Sequence, residues 1–114
     1  MFIEQRTYTT HPGKWREYLA LYEAKGLEIQ LRILGRMVGY YTSQVGPLNQ
    51  VVHLWAYETL DERDERRARL WNEPAWRAYV DEMLPLLREQ ESKILVPAPF
   101  FSPTWQTEPH NTGG

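Results

Sequence analysis

The run Gln50-Val51-Val52-His53-Leu54-Trp55-Ala56-Tyr57 limits the possible folds more than any other segment of this chain. As a strand it carries Val51, His53, Trp55 and Tyr57 on one face and Val52, Leu54 and Ala56 on the other. The even face is smooth and aliphatic, suited to packing beneath helices. The odd face is aromatic and contains an imidazole, an unusual surface to leave in water. The turn Val45-Gly46-Pro47-Leu48-Asn49 leads into it, so a hairpin partner is expected just upstream.

With 114 residues the chain forms one domain. Aromatic residues make up 13% of it, an excess that must be buried in a core, a pocket or an interface. A formal net charge of −2 gives no electrostatic reason to expect nucleic acid or an anionic membrane. There is no cysteine, which excludes disulfides, thiolate nucleophiles and thiolate metal sites. The start, Met1 to Arg6, lacks the basic-then-apolar order of a secretory signal, and no apolar stretch approaches the ~20 residues of a membrane span. The expectation is a soluble cytoplasmic protein.

Residues 2–10 read as a first strand, with Phe2, Glu4, Arg6 and Tyr8 on one face and Ile3, Gln5, Thr7 and Thr9 on the other. Trp15, Tyr18, Leu19 and Tyr22 have helical spacing, Gly26 ends or bends that helix, and Leu27, Leu31 and Leu34 continue it to Gly35. A second strand is expected over Met37–Gln44, followed by the third described above. Asp61 is a good N-cap for the next helix. That helix restarts at Pro74, carries an apolar stripe from Trp76 to Leu87, and is kinked or broken at Pro85. Ile94–Phe101 supplies a last, proline-interrupted strand suited to a sheet edge. The domain is taken as residues 1–103, with 104–114 a flexible tail.

This order defines an α+β, ferredoxin-like βαββαβ chain with a four-stranded antiparallel sheet. The first and third strands lie side by side in the middle, and the helices cover one face. Burying Glu4 and Arg6 beneath helices would demand close pairing, so Ile3, Gln5, Thr7 and Thr9 are assigned to the covered side. The bare face then holds Phe2, Glu4, Arg6, Tyr8, Val51, His53, Trp55 and Tyr57, with either Tyr40 or Tyr41 added from the second strand. Aromatic side chains bury roughly 150–250 Å² each, so four of them approach or exceed the ~300–600 Å² largest apolar patch of a typical monomer. A second copy, sheet against sheet, is the simplest cover, and a homodimer is expected.

Several stretches resemble one family. These are Glu4-x-Arg6-Thr7-Tyr8-Thr9 before Pro12-Gly13-Lys14, the segment Gly46-Pro47-Leu48-Asn49-Gln50-Val51-Val52-His53-Leu54-Trp55-x-Tyr57, and Ile94-Leu95-x-Pro97. Across about residues 2–103 the chain resembles the NIPSNAP family. The resemblance implies a dimeric α/β barrel, in which two ferredoxin-like sheets face each other around a cavity. The eukaryotic members are linked to mitochondria and vesicle transport. The wider superfamily includes cofactor-free monooxygenases, small isomerases and haem-binding enzymes. The chain departs from the family pattern at Gln5, where an apolar residue is more typical, and lacks the targeting extension of the mitochondrial members.

Candidate site residues come from the odd face. His53, with an ordinary pKa of ~6.5, suits general acid/base work; the alternatives are a neutral imidazole bonded inside the barrel, or haem or metal ligation. Arg6 and Glu4 form a polar floor for an anionic or carbonyl-bearing ligand, or an ion pair. Tyr8, Tyr41, Trp55 and Tyr57 are candidate ligand walls or interface core. Asn49 is added as a ligand candidate, although a turn residue satisfying local backbone is the better reading. His11 and His110 lie in a loop and the tail, so no metal cluster is expected, and no cofactor is assigned. The run Asp61–Arg69, four acids with four arginines, reads as a solvated helix face. Two functions follow: a small-molecule binder or cofactor-independent enzyme performing proton transfer or oxidation in the inter-sheet cavity, or a non-catalytic homodimeric module whose inter-sheet space is filled by side chains.

Overall fold

Strand β1 (Phe2–Thr10) is followed by helices α1 (Trp15–Lys25) and α2 (Leu27–Leu34), then by the hairpin strands β2 (Met37–Thr42) and β3 (Gln50–Tyr57). Helices α3 (Leu60–Trp71) and α4 (Pro74–Met83), a single 3₁₀ turn at Leu84–Leu86 and strand β4 (Leu87–Leu95) complete the order. The structure, a computed structural model, describes residues 1–109; His110 and the rest of the tail lie outside the described residues. The four strands form an antiparallel sheet in the order β2-β3-β1-β4, which puts β1 and β3 at its centre as expected. Among the described residues no helix is long and apolar enough to cross a membrane.

Glycines punctuate the helical layer. Gly26 separates α1 from α2, and a Cβ there would lie 2.9 Å from Tyr22 and 3.1 Å from Tyr79, so the joint fits only a residue without a side chain. Gly35 ends α2 with φ of 92°, a left-handed conformation that favours glycine. The cap of α3 is Thr59 rather than Asp61: Thr59 Oγ1 accepts from the Glu62 N–H at 3.0 Å, and Asp61 sits inside the first turn.

Two further expectations are corrected. The last strand runs from Leu87 to Leu95, earlier than the expected Ile94–Phe101, and Leu87 belongs to it rather than to the helical stripe. Pro85 stops the helix one turn earlier, and the polar sequence LREQESKIL is drawn into the sheet by pairing with β1, not by apolar alternation. The second correction concerns the faces. Phe2, Glu4, Tyr8, Val51, His53, Trp55 and Tyr57 are buried beneath the chain's own helices, with Arg6 half-buried beside them. The uncovered side instead carries Gln5 and Leu54 as one cross-strand pair and Thr7, Val52 and Tyr41 as another row.

Energetics explain the inversion. Four large aromatics and a valine stabilise by about 2–3 kcal/mol each when buried, roughly 10–15 kcal/mol together. One buried carboxylate costs several kcal/mol, and good pairing offsets most of that. The pairing comes from Arg63 on α3 and Ser92 on β4, distant in sequence from Glu4.

Beyond β4 the chain crosses the width of the sheet. Gln106 pairs with Met37 of β2 through two backbone hydrogen bonds of 2.9 and 3.0 Å. Trp105 receives the Arg36 guanidinium 5.6 Å from its ring centre.

Candidate functional site

Strand alternation and register build the site. Glu4 lies opposite Trp55, Arg6 opposite His53, and Tyr8 opposite Val51, so the odd residues of β3 and the even residues of β1 form one floor. On the β4 side, Arg6 is opposite Ser92 and Tyr8 opposite Gln90. The helices form the roof.

Glu4 is fully buried and accepts from three neighbours. Arg63 grips both oxygens, Nε to Oε1 at 2.8 Å and Nη2 to Oε2 at 3.1 Å. Arg6 Nη1 and Ser92 Oγ donate to Oε2 at 3.0 and 2.6 Å. Burial alone would raise the carboxyl's pKa, but the Arg63 and Ser92 hydrogen bonds and the two guanidinium charges overcome it and hold the group at about 2. Arg6 Nε also donates to the Tyr8 hydroxyl at 2.9 Å.

His53 sits in an aromatic box. Its ring stacks on Tyr40 at 4.7 Å and meets Tyr8 edge-on at 4.9 Å. Trp55 Nε1 donates to His53 Nδ1 at 2.7 Å, so in the neutral ring the proton resides on Nε2, which has no partner among the described residues. Burial, then the Arg6 charge, push its pKa down to about 3, against the opposing pull of Glu4. The imidazole is therefore neutral at physiological pH, unlike the near-neutral proton shuttle anticipated from an ordinary histidine. Behind Tyr40, the phenols of Tyr18 and Tyr40 share a 2.7 Å hydrogen bond, and Tyr22 donates to Gln30 Oε1 at 2.6 Å. Burial raises the pKa of all three phenols, so they remain uncharged.

Beside this network lies a cavity of about 320 Å³, between the sheet and the roof of α2, α3 and α4. Arg6, Tyr8 and Gln90 line its floor; Gln30, Arg67, Leu70, Trp76, Val80 and Met83 are among its walls. A larger hollow of about 590 Å³ between α1, β2 and residues 104–106 is more open to solvent, and among the described residues Glu23 is its one ionisable lining group besides tyrosine. The smaller cavity is the better candidate because its lining combines apolar walls with fixed donors.

Of the residues singled out in the sequence, Glu4, Arg6, Tyr8, His53 and Trp55 are brought together, and Tyr57 lies buried on the same floor, its hydroxyl without a partner among the described residues. Tyr41 and Asn49 are not part of the group. Tyr41 lies on the uncovered face, and Tyr40 takes the inner position opposite His53. Asn49 adopts φ of 61° in the hairpin turn, and its Oδ1 accepts from the Gly13 N–H at 3.0 Å. Sequence reasoning missed Arg63, Arg67, Gln30 and Ser92. A signal existed for two of them: Arg63, Arg67 and the buried Leu70 follow helical spacing, which puts both arginines on the inward stripe of α3.

Four strands with two broken helices on one face, enclosing a polar and aromatic cavity, define an α+β domain of the ferredoxin-like class. Relatives give the finer placement. The NIPSNAP domain matches residues 3–103, and the chain belongs to the NIPSNAP family. It is 37% identical to human NipSnap homolog 2 over 98 residues, covering 82% of this chain and 32% of that protein. It is 35% identical to a putative NipSnap protein of Caenorhabditis elegans, covering 83% of this chain and 18% of that one. The chain thus spans about a third or less of these curated relatives. Among solved structures, a NIPSNAP family protein with unknown function from Agrobacterium tumefaciens superimposes with a TM-score of 0.86 at 44% identity, covering 89% of this chain and 91% of that one. An uncharacterized NIPSNAP-like domain protein from Burkholderia xenovorans also gives 0.86 at 44% identity, covering 92% and 94%. A putative antibiotic biosynthesis monooxygenase from Nitrosomonas europaea shares the fold alone, with a TM-score of 0.63 at 13% identity over 85% of this chain and 98% of that one.

Proposed function

We propose that this protein binds a small organic molecule in the cavity between its helices and its sheet. The observation that carries the reading is the cavity's lining. Apolar side chains from α3 and α4 stand opposite Arg6 and Tyr8, and about 320 Å³ lies within the range of ligand sites. His53 packs against Tyr8 from outside the lining as a neutral ring of fixed tautomer, and the Glu4–Arg63 pair is a rigid support that locks Arg6 in place. Binding is favoured over acid–base catalysis because a histidine held at about 3 is a weak base at neutral pH. The test is saturable binding of phenylnaphthylamine, a neutral fluorescent dye, to wild type and to V80W, which fills the cavity. Loss of binding in a folded V80W supports the reading; equal binding by both proteins overturns it.

Self-association is a second element of the proposal. On the uncovered face Tyr41 is 59% exposed beside Val52 and Leu54, and Val96, Phe100 and Phe101 are exposed just beyond β4. Such an apolar surface favours pairing with another copy, sheet against sheet. Sedimentation should give a dimer for wild type and a monomer for L54D; a monomeric wild type at micromolar concentration ends this part of the proposal.

A further inference from the structure

Each arginine on the inner side of α3 has a different fate. Arg63 is committed to Glu4, and Arg66 donates to the Ile33 carbonyl at 2.9 Å while pairing with Glu62. Arg67 is half-buried and lines the cavity, yet among the described residues it has no hydrogen bond or ion pair. Arg6, on the opposite wall, uses Nε and Nη1 for Tyr8 and Glu4, which leaves Nη2 without a described partner. Trp76, also in the wall, has a buried Nε1 that nothing described accepts from. Gln30 accepts through Oε1 and keeps its amide N–H₂ as a donor.

These residues line one cavity, and none of its described lining residues is an aspartate or glutamate. Glu4 offsets one of the three nearby guanidinium charges and, of the three, accepts from Arg6 and Arg63 but not from Arg67, so positive charge is left over at Arg67. Burial and the repulsion of Arg6 disfavour the charged form of Arg67 by more than the attraction of Glu4 favours it, so the cation is only partly compensated. A half-buried cation without a protein partner gives up part of its hydration, a cost that a group of opposite charge in the cavity would offset.

We infer that the cavity is built for an organic anion, its carboxylate, sulfonate or phosphate head between Arg67 and Arg6 and its apolar body against Leu70, Trp76, Val80 and Met83. This rests on the cavity-binding reading above and adds the charge of the ligand to it. Arginine suits the role because its planar fork meets two oxygens of an oxyanion at once. The ligand fits within about 320 Å³, which confines it to small acids of no more than about three rings or a short chain.

Two fluorescent probes of similar shape separate the possibilities: anilinonaphthalene sulfonate, an anion, and phenylnaphthylamine, its neutral counterpart. Wild type should bind the anion more tightly. R67M keeps an apolar side chain of similar length and should weaken the anion by about tenfold or more while leaving the neutral probe within about twofold. R67K, retaining charge but losing the fork, should fall between. R67M should also melt at a higher temperature, because it removes an unpartnered charge. Equal affinities for the two probes, with no change in R67M, overturn the anion assignment and leave the cavity reading intact. The assignment also fails if R67M weakens both probes alike, since Arg67 then only shapes the wall. If wild type binds neither probe, the cavity reading falls and the anion assignment with it.

Discussion

Trp55 Nε1 donates to His53 Nδ1 across 2.7 Å, joining two residues that project two positions apart from the same face of β3, both sealed from water. The indole can only donate and the imidazole can only accept at that nitrogen, so the bond holds the ring neutral. A histidine kept neutral by burial should make the fold sensitive to mild acid.

The sign of that sensitivity follows from the depressed pKa. The folded ring titrates at about 3 and the unfolded one near 6.5, so the unfolded state takes up a proton first as pH falls. Stability is full above 6.5 and is lost progressively between 6.5 and about 3. The slope for a single group is about 1.4 kcal/mol per pH unit. Urea titrations between pH 6.5 and 4.5, above the window of Glu4, should show this slope in wild type and a flatter one in H53F. At pH 7.5 H53F should be less stable by about 1–3 kcal/mol, because Trp55 Nε1 loses its acceptor.

Glu4→Gln tests the buried ion cluster. The amide offers one acceptor oxygen where the carboxylate offers two, and its N–H₂ faces donors from Arg6, Arg63 and Ser92. A loss of about 3 kcal/mol is expected from urea unfolding at pH 7. Glu4's contribution in wild type is present above its unfolded pKa of 4.5 and disappears as pH falls towards about 2, so the gap between wild type and E4Q should close over that window.

Gly26→Ala should destabilise even though alanine is the better helix former. Propensity favours alanine by about 1 kcal/mol, whereas overpacking against fixed core rings costs roughly 1–3 kcal/mol. The rings in question, Tyr22 and Tyr79, are both buried. A lower thermal midpoint in G26A is the expected result.

At Asn49 the hairpin turn and the loop before α1 are tied together by a single side-chain hydrogen bond to Gly13. Asn49→Gly keeps the left-handed backbone but loses the bond, and Asn49→Ala loses both. The expected ranking in chemical denaturation is wild type, then N49G, then N49A, with steps of about 0.5–1 kcal/mol.

Much of this architecture was legible in the chain. Alternation in residues 2–10 and 50–57 identified which side chains share a face, and Gly26 and Gly35 marked the helix joints. The choice of covered face was not legible, because it depends on Arg63 reaching Glu4 from 59 residues away. In sequence, Arg63 and Arg67 are indistinguishable in kind from their exposed neighbour Arg69, and only their place on the helical stripe separates them. Strand β4 was displaced for a related reason: Glu89, Glu91 and Lys93 give no apolar signal, and their strand exists because β1 offers an edge to pair with. The candidate site shares this history. Its floor came from local alternation and its roof from contacts that cross the whole chain.

The crossing of residues 96–106 over the end of the sheet has a bearing on solubility. An outer strand with open amides and carbonyls invites addition of foreign strands and growth into aggregates. At Met37 the chain's own Gln106 occupies those groups, so the C-terminal segment serves as a built-in guard rail for one margin of β2. Truncation before Trp105 would uncover that margin, and the shortened protein should precipitate at concentrations the full chain tolerates.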